Sequence, residues 1–136
     1  MSPRAVFLDT GIFIAFLDRT DRYHAEAVSL FAAPPRRWCT SPAVVAETYG
    51  WFLHRLGEDS ARRFRLLLAD LQGLDLLAID RGVHDLAVAK LDKLRGHKLT
   101  YVDASSLALL GRHRIDDVWG TDRDLALEGA RIVPIR

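Results

Sequence analysis

One stretch limits the possible folds of this chain more than any other. From Ala5 to Leu17 it reads AVFLDTGIFIAFL, and Asp9 is its only charge. The run before Asp9 has the length and composition of a buried strand. The run after Thr10 is apolar on nearly every side of a helix, so that helix is expected inside the protein. Thr10 is the expected cap. A buried strand feeding a buried helix is the opening of an α/β unit. The segment is far shorter than the ~18 apolar residues of a membrane helix.

The rest of the chain repeats the alternation. Asp21 is the expected cap of a second helix, with Tyr23, Ala27, Leu30 and Phe31 on one stripe and Pro34-Pro35 ending it. Arg37 to Thr40 reads as a short strand. Ser41-Pro42 opens a helix to about Arg55, closed by Leu56-Gly57. Asp59 or Ser60 starts another. Leu74 to Ile79 reads as a strand, and Asp80 caps a helix through Leu94. Asp103 begins an apolar helix that runs to about Gly111. Val118-Trp119 and Arg131 to Ile135 read as the last strands, joined by a loop and a helical turn from Thr121 to Leu127. Strands alternating with helices predict a three-layer α/β fold: a mainly parallel sheet of about five strands flanked by helices. Such sheets bind ligands at the carboxyl ends of their strands.

At 136 residues, the length predicts one domain over 1–136. Net charge is +1, so no strong global field marks a nucleic-acid or membrane partner. The single cysteine, Cys39, excludes a disulfide framework and any cysteine-rich metal centre. No signal-like segment opens the chain, so the expected location is cytoplasmic, with no membrane partner.

Function is legible in where the lone acids sit. Glu47 is the only charge from Trp38 through Leu53, and Asp103 the only one from Leu99 through Gly111. Together with Asp9, each lies in a stretch expected to be buried, with no basic residue beside it. Burying an unpaired carboxylate costs several kcal/mol. Either these acids cap helices, or they converge on something cationic. Capping is a real alternative for Asp9 and Asp103, which stand at predicted helix starts. It fails for Glu47, which lies within a helix, where a solvated helix face is the alternative. Asp122, just after a strand in WGTDRD, is a fourth candidate, and Asp124 competes with it. Carboxylates at one sheet edge cannot all stay ionised without a cation. Oxygen ligands suit Mg²⁺ or Mn²⁺, and no histidine or cysteine spacing supports zinc. A divalent ion held by carboxylates, with one side open, is an arrangement for hydrolysing phosphodiesters.

Four segments carry a resemblance. VFLDTGIFIAFLD, SPAVVAET, LTYVDASSLAL and TDRDLALEGARIVP resemble, in order, the acidic motifs of PIN-domain ribonucleases, and most closely those of the VapC toxins of type II toxin–antitoxin systems. The likeness covers essentially the whole chain, including DRYHAEA from Asp21 to Ala27. It implies a PIN-like, Rossmann-type fold and a Mg²⁺-dependent endoribonuclease with catalytic residues Asp9, Glu47, Asp103 and Asp122. Asp9, Asp103 and Asp122 are the implied metal ligands, and Glu47 would position or activate the attacking water. Thr121 matches a small hydroxyl residue that orients water or phosphate. Thr10 and Asp124 are candidates for positioning substrate. Leu125 departs from the family, where many members carry Phe, and is expected to affect packing only. The implied partners are an RNA substrate, a cognate VapB-like antitoxin and a second copy of the chain.

Other readings were weighed on the residues. Asp9-Thr10-Gly11 spells the aspartic-protease triplet, but that fold is nearly all-β and here the triplet leads into a helix. The five histidines form no metal or nucleophile pair. Arg55, Arg62, Arg63 and Arg65 form one basic group. Lys90, Lys93, Arg95, His97 and Lys98 form another, and its loop leads toward Asp103. Arg95 and Lys98 are therefore the candidates for steering a phosphate backbone. A non-catalytic PIN-like RNA-binding or regulatory module, and a housekeeping nuclease of the same fold, remain as alternatives. No residue separates RNA from DNA.

Overall fold

A computed structural model of the chain describes residues 4–33 and 36–134. The elements run β1 (Ala5–Leu8), α1 (Thr10–Leu17), α2 (His24–Ala32), β2 (Arg37–Thr40), α3 (Pro42–Leu56) and α4 (Glu58–Asp70). They continue as β3 (Asp75–Leu76), α5 (Arg81–Lys93), α6 (Tyr101–His113), β4 (Asp117–Gly120), a 3₁₀ turn (Arg123–Ala126) and β5 (Arg131–Pro134). The five strands form one sheet in the order β3-β2-β1-β4-β5, and every pairing is parallel. Central β1 fixes the register, with Phe7 opposite Cys39 on one side and Val118 on the other.

Strand order reverses between β1 and β4. The chain first steps outward to β2 and β3, then returns past β1 to β4 and β5. Right-handed crossovers put α1 to α4 on one face and α5 with α6 on the other. Packing largely follows that division: α1 meets α2, α3 and α4, and α5 meets α6, with α3 also reaching α6. The crevice between the carboxyl ends of β1 and β4 is the topological switch point, where sheets of this kind place ligands.

The core explains why Ala5 to Leu17 is so apolar. Val6, Phe7, Leu8, Ile12, Phe13 and Ala15 are all fully buried. Phe13 meets Phe64 of α4 edge-on at 5.1 Å, and Phe52 of α3 stacks on the same ring at 5.9 Å. Leu125 is buried, consistent with a packing role. Among the described residues no helix is long and apolar enough to cross a membrane.

Several boundaries differ from the expectation, each for a local reason. Thr10 is the first helical residue, and the cap position belongs to Asp9. Asp21 accepts a bond from Tyr23 N–H at 2.9 Å, which spends its carboxylate on a turn, and α2 starts at His24. Gly57, with φ 97°, both ends α3 and opens α4, so α4 begins before Asp59. The strand expected from Leu74 to Ile79 shrinks to Asp75–Leu76, because β3 is an edge with one partner. The expected breaks at Pro34 and Pro35, and the end of the last strand at Ile135, lie outside the described residues.

Candidate active site

Asp9 follows β1 directly, and its own N–H continues the sheet by donating to the Trp119 carbonyl at 3.0 Å. That bond sets the carboxylate at the mouth of the switch-point crevice. The side chain is 5% exposed and makes no capping bond to the helix it precedes. Burial pushes its pKa up to about 7, offset in part by a bond from the Thr10 backbone and reinforced by Glu47, Asp122 and Asp103. The charged neighbours that raise it are all carboxylates.

Glu47 approaches from α3. Ser41 caps that helix by accepting from Val44 N–H, with Pro42 in the first turn. Contrary to the expected burial, Glu47 is exposed, and its Oε1 accepts a bond from Thr10 Oγ1 at 2.5 Å. The side chain is therefore drawn to the residue next to Asp9.

Asp103 enters at the third position of α6. Asp103 does not begin or cap the helix as expected: Thr100 is the cap, and Asp103 completes it from within the first turn. Thr100 Oγ1 accepts from Asp103 N–H, and Asp103 Oδ2 accepts from Thr100 N–H, both at 3.1 Å. This reciprocal capping box holds Asp103 rigid and leaves Oδ1 outside it. Asp122, after β4, accepts from Asp124 N–H at 2.9 Å through Oδ1. Burial raises the Asp122 pKa against that bond, and the neighbouring Asp103 and Asp124 carboxylates push it further up. One oxygen from each of Asp103, Asp122 and Asp124 lies within 4.8 Å of the others.

That donor set fits a hard dication. Cys39 is buried under the sheet, where its thiol bonds the Val6 carbonyl, and lies outside this cluster. The structure therefore clusters the oxygens of Asp103, Asp122 and Asp124, while Asp9 stands outside that trio within reach of its charge and Glu47 is bonded to Thr10. Thr121 is half-buried beside them.

The basic rim is thinner than the sequence suggests. Lys90 and Lys93 both bond the Glu128 carboxylate, at 2.6 and 2.8 Å, which commits them to holding the segment after the 3₁₀ turn. Arg95 and Lys98 are exposed on the loop before α6.

Three positioning residues escaped the sequence reading. Thr100 sits three residues before Asp103, a legible capping-box spacing. Gly11 and Gly120 carry no such signal, because their role is the absence of a side chain. A Cβ on Gly11 would stand 2.8 Å from Thr121 N, so only glycine lets α1 start against the β4 loop. A Cβ on Gly120 would meet Asp9 Cβ at 3.0 Å.

With this geometry in place, comparison with known proteins gives the class. The PIN domain family model matches residues 6–128. The chain belongs to the PIN-domain family. No curated protein matches its sequence. Among solved structures it is similar to the Mycobacterium tuberculosis toxin VapC20, described as cleaving the sarcin–ricin loop, with TM-score 0.84, 22% identity, and 93% of this chain and 96% of that one covered. A toxin–antitoxin complex from Klebsiella pneumoniae matches with TM-score 0.67, 21% identity and coverage of 94% and 95%. VapBC2 from Rickettsia felis, solved on a promoter DNA fragment, matches with TM-score 0.64, 10% identity and coverage of 94% and 96%. At these identities the likeness is one of fold.

Proposed function

We propose that this chain is a single-domain, divalent-metal-dependent endoribonuclease of the VapC type, the toxin of a toxin–antitoxin pair. One observation carries the reading. Three acids distant in sequence, Glu47, Asp103 and Asp122, act on the buried Asp9 carboxyl at the switch-point crevice. A module that merely bound RNA would gain nothing from a negative crevice.

In this reading Asp9, Asp103 and Asp122 hold Mg²⁺ or Mn²⁺, and Asp124 lies close enough to share the task. The cation, when bound, makes water nucleophilic at neutral pH and offsets charge developing on the phosphate. Glu47 orients the attacking water and accepts its proton as it approaches phosphorus in line with the leaving oxygen. Thr121 supplies a hydroxyl at the crevice. Arg95 and Lys98 meet the phosphates of the approaching strand. A cognate VapB-like antitoxin is the proposed partner, in keeping with the similar structure solved as a toxin–antitoxin complex. A homodimer is proposed with it.

The test is cleavage of single-stranded RNA with Mg²⁺ by the parent and by Asp9→Asn. The variant should lose cleavage while keeping its fold and its antitoxin. Cutting at the parent rate would refute the assignment.

A further inference from the structure

An exposed glutamate ordinarily samples many rotamers. Glu47 does not have that freedom, because Thr10 Oγ1 holds its Oε1 at 2.5 Å, within the range of a charge-assisted O–H···O⁻ bond. Thr10 has one hydroxyl proton, and this bond uses it. Its lone pairs then favour a donor, and one lies behind it. Thr48 Oγ1 is 3.0 Å from Thr10 Oγ1, and Thr48 is fully buried. The same Thr48 hydroxyl also lies 2.7 Å from the Val44 carbonyl. A helical threonine commonly returns its proton to the carbonyl four residues back and does nothing more. Thr48 has a second acceptor, and that acceptor leads to the surface.

We infer that Thr48 and Thr10 form a hydroxyl chain from the interior to Glu47, and that Thr48 is a positioning residue for the reaction. With its proton toward Thr10, the bonds run Thr48 to Thr10 to Glu47 in one direction and polarise each other. The Val44 carbonyl keeps its α-helical partner, so no buried group is orphaned. The chain commits Oε1 to the protein and leaves Oε2 to take the proton of the attacking water. It also ties α3 to the start of α1, so that Glu47 and Asp9 keep one relative placement. This inference rests on the role given to Glu47 above.

The experiment uses variants that delete a hydroxyl and keep its shape. Thr48→Val should lower kcat about tenfold and leave KM within about twofold, the split expected when orientation and not binding is lost. Thr10→Val should lower kcat more, by about thirtyfold, and Thr10→Ser should restore it to within about threefold. In a Glu47→Ala background Thr48→Val should add nothing, because it acts through Glu47. A second readout needs no activity: the ¹³C resonance of the Glu47 carboxyl should move in Thr48→Val and move further in Thr10→Val. An unmoved resonance overturns the chain, as does a Thr48→Val effect that persists without Glu47. A parent protein that cleaves no RNA would instead defeat the nuclease reading, with the resonance still deciding the chain.

Discussion

The acidic crevice has two walls built on opposite principles. On the β1 wall, Asp9 is nearly sealed from water and its side chain makes no capping bond to the helix it precedes. On the β4–α6 wall, Asp103 and Asp122 each give one oxygen to a backbone N–H, and both belong to local turns. The second wall would hold its shape in almost any helical protein. The first exists only because β1 and β4 pair and Gly120 leaves room. Local capping thus fixes Asp103 and Asp122 at little cost, while Asp9 places a buried carboxyl beside other acids.

The contrast is broken most severely by replacing Asp9. Its folded-state pKa, raised to about 7 from 3.8, means that the folded protein holds a proton there that the unfolded chain has already lost. Metal-free stability should therefore fall as pH rises from about 4 to about 7, by up to about 4 kcal/mol from this group. Denaturant titrations of Asp9→Asn should show that portion of the slope gone and a variant more stable than the parent at pH 7. An unchanged slope would mean that Asp9 is solvated.

Steric changes come next. Gly11→Ala drives a methyl group against the Thr121 backbone, and overpacking of this kind costs about 2 kcal/mol. Thermal melts should show a fall of several degrees. Gly120→Ala asks Asp9 to shift by a few tenths of an ångström. It should cost about 1 kcal/mol at most and yet lower cleavage at least tenfold, since orientation and not folding is what it disturbs. Equal loss of stability in both variants would erase the distinction between them.

The second wall should be the more forgiving. Thr100→Ala removes half of the capping box and should cost about 1 kcal/mol. Mn²⁺ affinity, read by calorimetry, should weaken a few-fold as Asp103 loosens. Thr100→Ser should keep both properties.

How much of this the sequence disclosed follows the same division. The strand–helix alternation, the parallel sheet and the four acids were legible because each depends on local pattern: apolar runs, caps and lone charges. Glu47 stood out because a charge inside the neutral stretch from Trp38 to Leu53 has no local explanation. What stayed hidden depends on distant approach. Gly11 and Gly120 matter through what a missing Cβ permits across the sheet. Thr48 reads as an ordinary helical residue until Thr10, far away in the chain, is placed beside it. Lys90 and Lys93 read as a phosphate rim until Glu128 folds back to meet them. The boundary errors at Asp21, Asp59 and Asp103 arose because Asp serves turns, caps and capping boxes with the same carboxylate, and sequence alone does not choose among them.

The decisive measurement is calorimetric titration of Mn²⁺ into the metal-free protein at pH 7 in two buffers of different ionisation enthalpy. Binding should saturate with an apparent heat that changes with buffer, because the cation expels the proton that Asp9 holds near pH 7, and Asp9→Asn should lose this buffer dependence. Titrations that never saturate at millimolar Mn²⁺, or that look the same with Asp9, Asp103 and Asp122 all replaced by Asn, would show that these carboxylates tolerate one another without a shared ion.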